Sequence, residues 1–87
     1  MSYQFALTKR AQKDALKIEH AGLQIKVEKL LDLMMRNPFE NPPPYEKLTG
    51  DLSGMYSRRI NIQHRLVYAV LESKKTIKIL SLWTHYE

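Results

Sequence analysis

No cysteine occurs among the 87 residues. That excludes disulfides and any thiolate metal site, and it is compatible with a reducing compartment. Long apolar runs are missing as well. No uncharged stretch approaches the roughly 20 residues that span a bilayer. The opening MSYQFALTKR turns charged by Lys9 before the apolar core of a signal peptide can form. The expectation is a soluble, cytoplasmic protein with no membrane partner. Acidic residues are few: nine Asp and Glu stand against fourteen Lys and Arg, a formal charge of +5. Such a balance favours a polyanionic partner, either nucleic acid or an acidic protein, although many small basic proteins bind nothing anionic. Repeats, low-complexity tracts and flexible linkers are also absent. What is present, 44% hydrophobic residues in a short chain, suits one small domain over 1–87 with a modest core.

The pattern along the chain predicts an α+β fold of order β-α-α-β-β-β. YQFAL, residues 3–7, reads as a short strand whose place in the sheet the sequence does not fix. Thr8 follows as an N-cap, and Ala11, Ala15 and Ile18 lie on one helical face. A break at 20–22 leads to a second helix with the stripe Leu23, Val27, Leu30, Leu31 and Met34. NPFENPPPYE ends it, because Pro38 disfavours a helical Asn37 and Pro42 to Pro44 favour an extended, solvated segment. From Leu48 the period becomes two, with strands near 54–60, 64–72 and 75–83. The helices are then a hairpin lying on one face of a mainly antiparallel sheet.

The stretch SRRINIQHRLVYAV, residues 57–70, crowds Arg58, Arg59, His64 and Arg65 around a polar turn. If the turn centres on Ile62, Arg59 lies opposite Arg65, and like charges directly opposed are destabilising. An anion between them would relieve the conflict, because guanidinium forks match phosphate oxygens. Taken alone, a solvent-screened polar face is the simpler reading. Two further groups bear on the choice. His85, in the closing SLWTHYE, sits where packing does not demand a histidine, and imidazole exchanges protons near neutral pH. Glu46 follows the proline run and could act as a base from a braced approach. Each in isolation is an ordinary surface residue. Trp83 reads as core, sharing a period-two face with Ile77 and Ile79. His20 reads as a helix-end residue and His64 as part of the hairpin; neither has metal-ligand spacing, and no metal is expected.

The segment YEKLTGDLSGMYSRRINIQHRLVYAV, followed by WTHYE, closely resembles the YoeB/Txe family of bacterial toxin–antitoxin toxins, within the RelE-like fold group. NPFE at 37–40 also matches that family's exit from its second helix. The likeness is close from about Asn37 to Tyr86; the N-terminal third matches mainly in pattern. What the resemblance implies is a ribosome-dependent mRNA interferase that cuts the A-site codon without metal or other cofactor, leaving a 2′,3′-cyclic phosphate and a 5′-hydroxyl. It places the catalytic residues at Glu46 (general base), Arg65 (transition-state charge) and His85 (general acid), with Arg59 and Tyr86 holding substrate. It further implies three partners, a YefM-like antitoxin with an acidic tail, the 70S ribosome and its mRNA, and a possible homodimer. Lys9, Arg10, Lys13, Lys17, Lys26 and Lys29 would then face rRNA phosphate, or simply water.

The chain departs from familiar relatives at Thr49, where some carry lysine, at Gln63, where some carry an acid, and at the added terminal Glu87. Losing an acid at 63 leaves Glu46 as the stronger base and removes one possible partner of Arg65. A non-catalytic RNA- or protein-binding module of the same fold is the alternative, and a gyrase inhibitor a weaker one. The joint presence of Glu46, Arg65 and His85 argues against both.

Overall fold

Thr8 opens the first helix as its chemistry requires. Its hydroxyl oxygen accepts the Ala11 N–H at 3.1 Å, satisfying one of the amides a helix start leaves unpaired. The computed structural model describes residues 2–85. Within it the chain runs β1 (Gln4–Leu7), α1 (Lys9–His20), α2 (Gln24–Arg36), β2 (Tyr45–Lys47), β3 (Tyr56–Arg59), β4 (His64–Leu71) and β5 (Thr76–His85). Gly22, at φ 73°, supplies the left-handed residue that ends α1. The expected helical hairpin and three late strands are all present. The short strand β2 is added to them; three residues are too few to show a period.

The five strands form one sheet in the order β1-β5-β4-β3-β2. The first strand finds its place at the edge, parallel to β5, and the other pairings are antiparallel. Ala11 and Ile18 of α1, Val27 and Met34 of α2, and Leu66, Tyr68, Ile77, Ile79 and Leu82 of the sheet form one buried cluster. Each fully buried Leu or Ile contributes roughly 1.5–3 kcal/mol. Strand residues alternate between faces, so Leu66 and Tyr68 point toward the helices while Arg65 and Val67 occupy the opposite face. Among the described residues no helix is long and apolar enough to cross a membrane.

Two details depart from the sequence pattern. Asp14 shares the apolar face of α1 and is buried; its carboxyl accepts the Leu82 N–H at 3.0 Å. The proline segment is not extended: the chain bends through 41–43, with cis peptide bonds at Asn41–Pro42 and Pro42–Pro43. At the far edge, the Tyr3 hydroxyl donates to Glu72 at 2.7 Å and Lys75 Nζ donates at 3.2 Å. These bonds, the one from Tyr3 foremost, hold the Glu72 carboxyl below its ordinary value and tie β1 to the turn before β5.

Thr8 also donates its hydroxyl to the Leu80 carbonyl at 3.0 Å. Thr8→Ala should therefore lower the unfolding free energy by about 1–2 kcal/mol, losing a cap and a strand contact together. Urea denaturation measures this, and an unchanged midpoint at equal slope would contradict it.

Candidate active site

The β3–β4 hairpin sets the site. Arg59 pairs in register with Arg65, the juxtaposition expected from a turn at Ile62. Asn61 builds that turn: its side-chain oxygen accepts the Gln63 N–H at 2.9 Å and the His64 N–H at 2.8 Å, the local bonding that suits Asn to turns.

The four basic side chains of the stretch divide between the two faces, so they do not crowd one another as the sequence suggested. Arg58 points toward the helical side and is 1% exposed. It donates to the carbonyls of Pro43 (2.6 Å), Pro38 (3.0 Å) and Glu40 (2.7 Å), and its Cζ lies 5.2 Å from the centre of the Tyr45 ring. The Tyr68 hydroxyl also donates to the Pro38 carbonyl, at 2.9 Å. Burial pushes the Tyr68 phenol up, outweighing the nearby Arg58, and keeps it a donor. Tyr56 meets Phe39 and Tyr45 edge-on, and Phe39 and Tyr45 pack tilted against each other. Arg58 is thus an internal brace that fixes the chain leading into β2, and reading residues 57–60 at period two separates it from Arg59. His64 is buried and stacks on Trp83, ring centres 3.9 Å apart. Trp83 packs against the core.

On the face opposite the helices, β2 pairs Glu46 with Ser57. The Arg65 guanidinium lies 3.2 Å from the Glu46 carboxylate and donates to Ser57 Oγ at 3.1 Å. The two partners differ in exposure: the Arg65 side chain is 8% exposed and that of Glu46 60%. A carboxylate open to solvent can still take a proton from a ligand, while the arginine behind it is held in one place. Glu46 thus supplies Arg65 with a carboxylate partner, while Gln63 is exposed on the turn. These groups line a cleft of about 570 Å³ walled by Pro43 and Pro44 on one side and by Arg59, Ile60, Asn61 and Ile62 on the other. The volume suits a nucleotide-sized ligand, and the wall combines apolar surface with guanidinium groups. Arg59 is exposed.

Beyond Arg65 the sheet continues into β5, where Thr84 pairs with Arg65 and His85 with His64. The backbone of His85 therefore closes β5 next to the arginine. The His85 side chain, Tyr86 and Glu87 lie outside the described residues. Thr49 precedes a short helical turn at Gly50–Leu52 and lines a second, smaller hollow with Lys47 and Ser53, away from the Glu46–Arg65 pair. Lys9, Arg10, Lys13, Lys17, Lys26 and Lys29 are all exposed along the two helices. Among the described residues no group of three or more His, Asp or Glu side chains could hold a metal ion. The described cleft offers one solvent-open carboxylate beside guanidinium groups.

Comparison with known proteins bears on the family and the fold. The profile of the YoeB-like toxins of bacterial type II toxin–antitoxin systems matches residues 8–86. A toxin YoeB from Synechocystis is 37% identical over 62 residues, covering 71% of this chain and 70% of that protein. A YoeB/ParE toxin from Agrobacterium tumefaciens superposes with a TM-score of 0.86 at 29% identity, covering 95% of this chain and 99% of that one. The toxin in the heterotetrameric YoeB–YefM complex of Staphylococcus aureus superposes at 0.81 with 35% identity, covering 99% and 100%. The chain belongs to the YoeB-like family of bacterial type II toxins.

Proposed function

We propose that this toxin is an endoribonuclease that cuts mRNA in the ribosomal A site. The observation that carries the reading is the Glu46–Arg65 pair in a nucleotide-sized cleft, with Arg59 directly across the hairpin. In the resting site Arg65 is occupied by Glu46. An RNA phosphate entering the cleft offers Arg65 a stronger bidentate partner and leaves the carboxylate beside the ribose. Glu46 then takes the 2′-hydroxyl proton as the 2′-oxygen attacks phosphorus. The P–O5′ bond breaks, and His85 gives a proton to the departing oxygen. The products are a 2′,3′-cyclic phosphate and a 5′-hydroxyl, with no metal or cofactor in the scheme. Arg65 and Arg59 stabilise the charge that grows on the phosphoryl oxygens, and Tyr86 positions the nucleotide by stacking or hydrogen bonding.

The same chemistry defines the partners. A +5 chain with exposed basic helices is drawn to rRNA in a salt-dependent way. An antitoxin of the YefM kind, with an acidic segment, would occupy the cleft and compete for Arg65 and Arg59; self-association of the toxin is a further expectation. Such a toxin acts in the cytoplasm, where the ribosomes are.

Induction in a bacterial host, followed by primer extension on translated messages, tests the reading. Wild-type chain should arrest growth and cleave near codon boundaries. Glu46→Gln and His85→Gln should each slow single-turnover cleavage by about 10²–10⁴-fold, the usual worth of a well-placed proton transfer. Parental rates from both variants would remove Glu46 and His85 from the catalytic assignment; a wild-type chain that arrests growth without cutting RNA would leave a binding module.

A further inference from the structure

The pairing of β4 with β5 is interrupted twice. Below the interruptions Tyr68 faces Ile79 and Ala69 faces Lys78. Continued unbroken, that register would set Leu82 opposite Arg65 and carry residue 85 past the end of β4, opposite Ile62. Instead register shifts fall between Val67 and Tyr68 and between Arg65 and Val67. Val67 faces Ser81, Arg65 faces Thr84 and His64 faces His85. The strand has absorbed two extra residues, which draws its end back by about 6–7 Å at the usual rise per residue. Bulges of this kind re-aim strands beside active sites.

An extra residue leaves backbone groups that the neighbouring strand cannot pair, and these must be satisfied elsewhere. Both irregularities are served by α1. Leu80 lies in the first, between Ile79 and Ser81, and its carbonyl accepts the Thr8 hydroxyl at 3.0 Å. Leu82 lies in the second, between Ser81 and Thr84, and its N–H donates to the Asp14 carboxyl at 3.0 Å. Asp14 is 4% exposed, and Arg10 lies 3.7 Å from the same oxygen. The hydroxyls of Ser81 and Thr84 close the loop of the second irregularity by bonding each other. A buried carboxyl facing an apolar sheet is costly unless it is bonded, so Asp14 has a specific reason to stand there.

We infer that α1 is a register clamp and that Asp14 is a positioning residue for the nuclease site: by holding the Leu82 amide it stabilises the slipped register that sets residue 85 opposite His64, one position from Arg65. The clamp itself is a property of the sheet. Its consequence for catalysis rests on the proposed role of His85.

The test compares Asp14→Leu and Asp14→Ala, which remove the acceptor, with Asp14→Asn, which keeps an oxygen for Leu82. Interstrand NOEs and amide exchange in the full chain read the register; single-turnover cleavage of ribosome-bound message reads the consequence. In the Leu and Ala variants, contacts pairing Ala69 with Lys78 should persist. Those pairing Arg65 with Thr84 and His64 with His85 should be lost, and the Leu82 amide should exchange freely. The cleavage rate should fall about 100-fold, as expected for a misplaced catalytic group, with substrate affinity unchanged. Asp14→Asn should restore both register and rate. The clamp is overturned if either Leu or Ala variant keeps the 65–84 and 64–85 contacts with a protected Leu82 amide. The positioning role is overturned if Asp14→Asn, with register intact, is as slow as Asp14→Leu. Should the wild-type chain cleave no RNA, the catalytic reading falls and the NMR comparison alone decides the clamp.

Discussion

Arg65→Ala is expected to lower the single-turnover cleavage rate of ribosome-bound mRNA by about 10²–10³-fold, the effect of deleting a positioned charge donor from a transition state. The fold should survive it. The partner left behind, Glu46, is 60% exposed and returns to water, so no charge is stranded in the interior. The two observables therefore separate: activity falls steeply while the thermal transition moves little. Arg65→Lys should recover little activity, because one ammonium cannot reproduce the planar, bidentate fork that a guanidinium offers a phosphate. Cleavage by Arg65→Ala at the parental rate would show that the phosphate is held elsewhere.

Arg58→Met is expected to do the reverse, acting on stability first. Three carbonyls, of Pro38, Glu40 and Pro43, share this one guanidinium, and Arg58 is 1% exposed. Methionine fills much of the space but leaves those carbonyls without their donor. With each charged hydrogen bond worth roughly 1.5–3 kcal/mol, a loss of about 4 kcal/mol is expected after partial rehydration of the loop. For a chain of this size that corresponds to a fall in Tm of roughly 20 °C. The loop it braces supplies the Pro43 wall of the cleft and leads directly into the strand carrying Glu46, so cleavage at low temperature should also weaken. Calorimetry and cleavage at 15–20 °C, about the temperature of maximum stability, read the two effects. A variant as stable as the parent would show that the Pro38–Pro43 turn holds without Arg58.

These expectations differ in how far they could be read from the sequence. The Arg59–Arg65 register was legible because a three-residue polar turn between two period-two strands leaves little freedom in pairing. The helix start at Thr8 was legible because capping is local chemistry. Arg58 was hidden by its neighbours: a run of basic residues reads as one surface feature, and only the alternation of a strand assigns its members to different faces. Asp14 was hidden by the apolar stripe it interrupts, since its partner, the Leu82 amide, lies 68 positions away in the chain. The edge strand holding Glu46 was too short to carry a pattern, and the carbonyls flanking the bend through 41–43 take their donors from Arg58, 15 to 20 positions away. Glu46 was singled out for its place after the prolines, yet its contact with Arg65 is a tertiary event. The slip in β5 has no sequence signal, because both surplus residues look like ordinary strand.

The measurement that bears most directly on the central claim is cleavage of a programmed ribosome carrying a single 2′-deoxy nucleotide at the scissile position. If Glu46 activates the neighbouring 2′-hydroxyl while Arg65 holds the phosphate, that substitution abolishes the cut, and the all-ribose message yields fragments ending in 2′,3′-cyclic phosphate. Unimpaired cleavage of the deoxy-substituted message, or fragments carrying a 5′-phosphate, would contradict it.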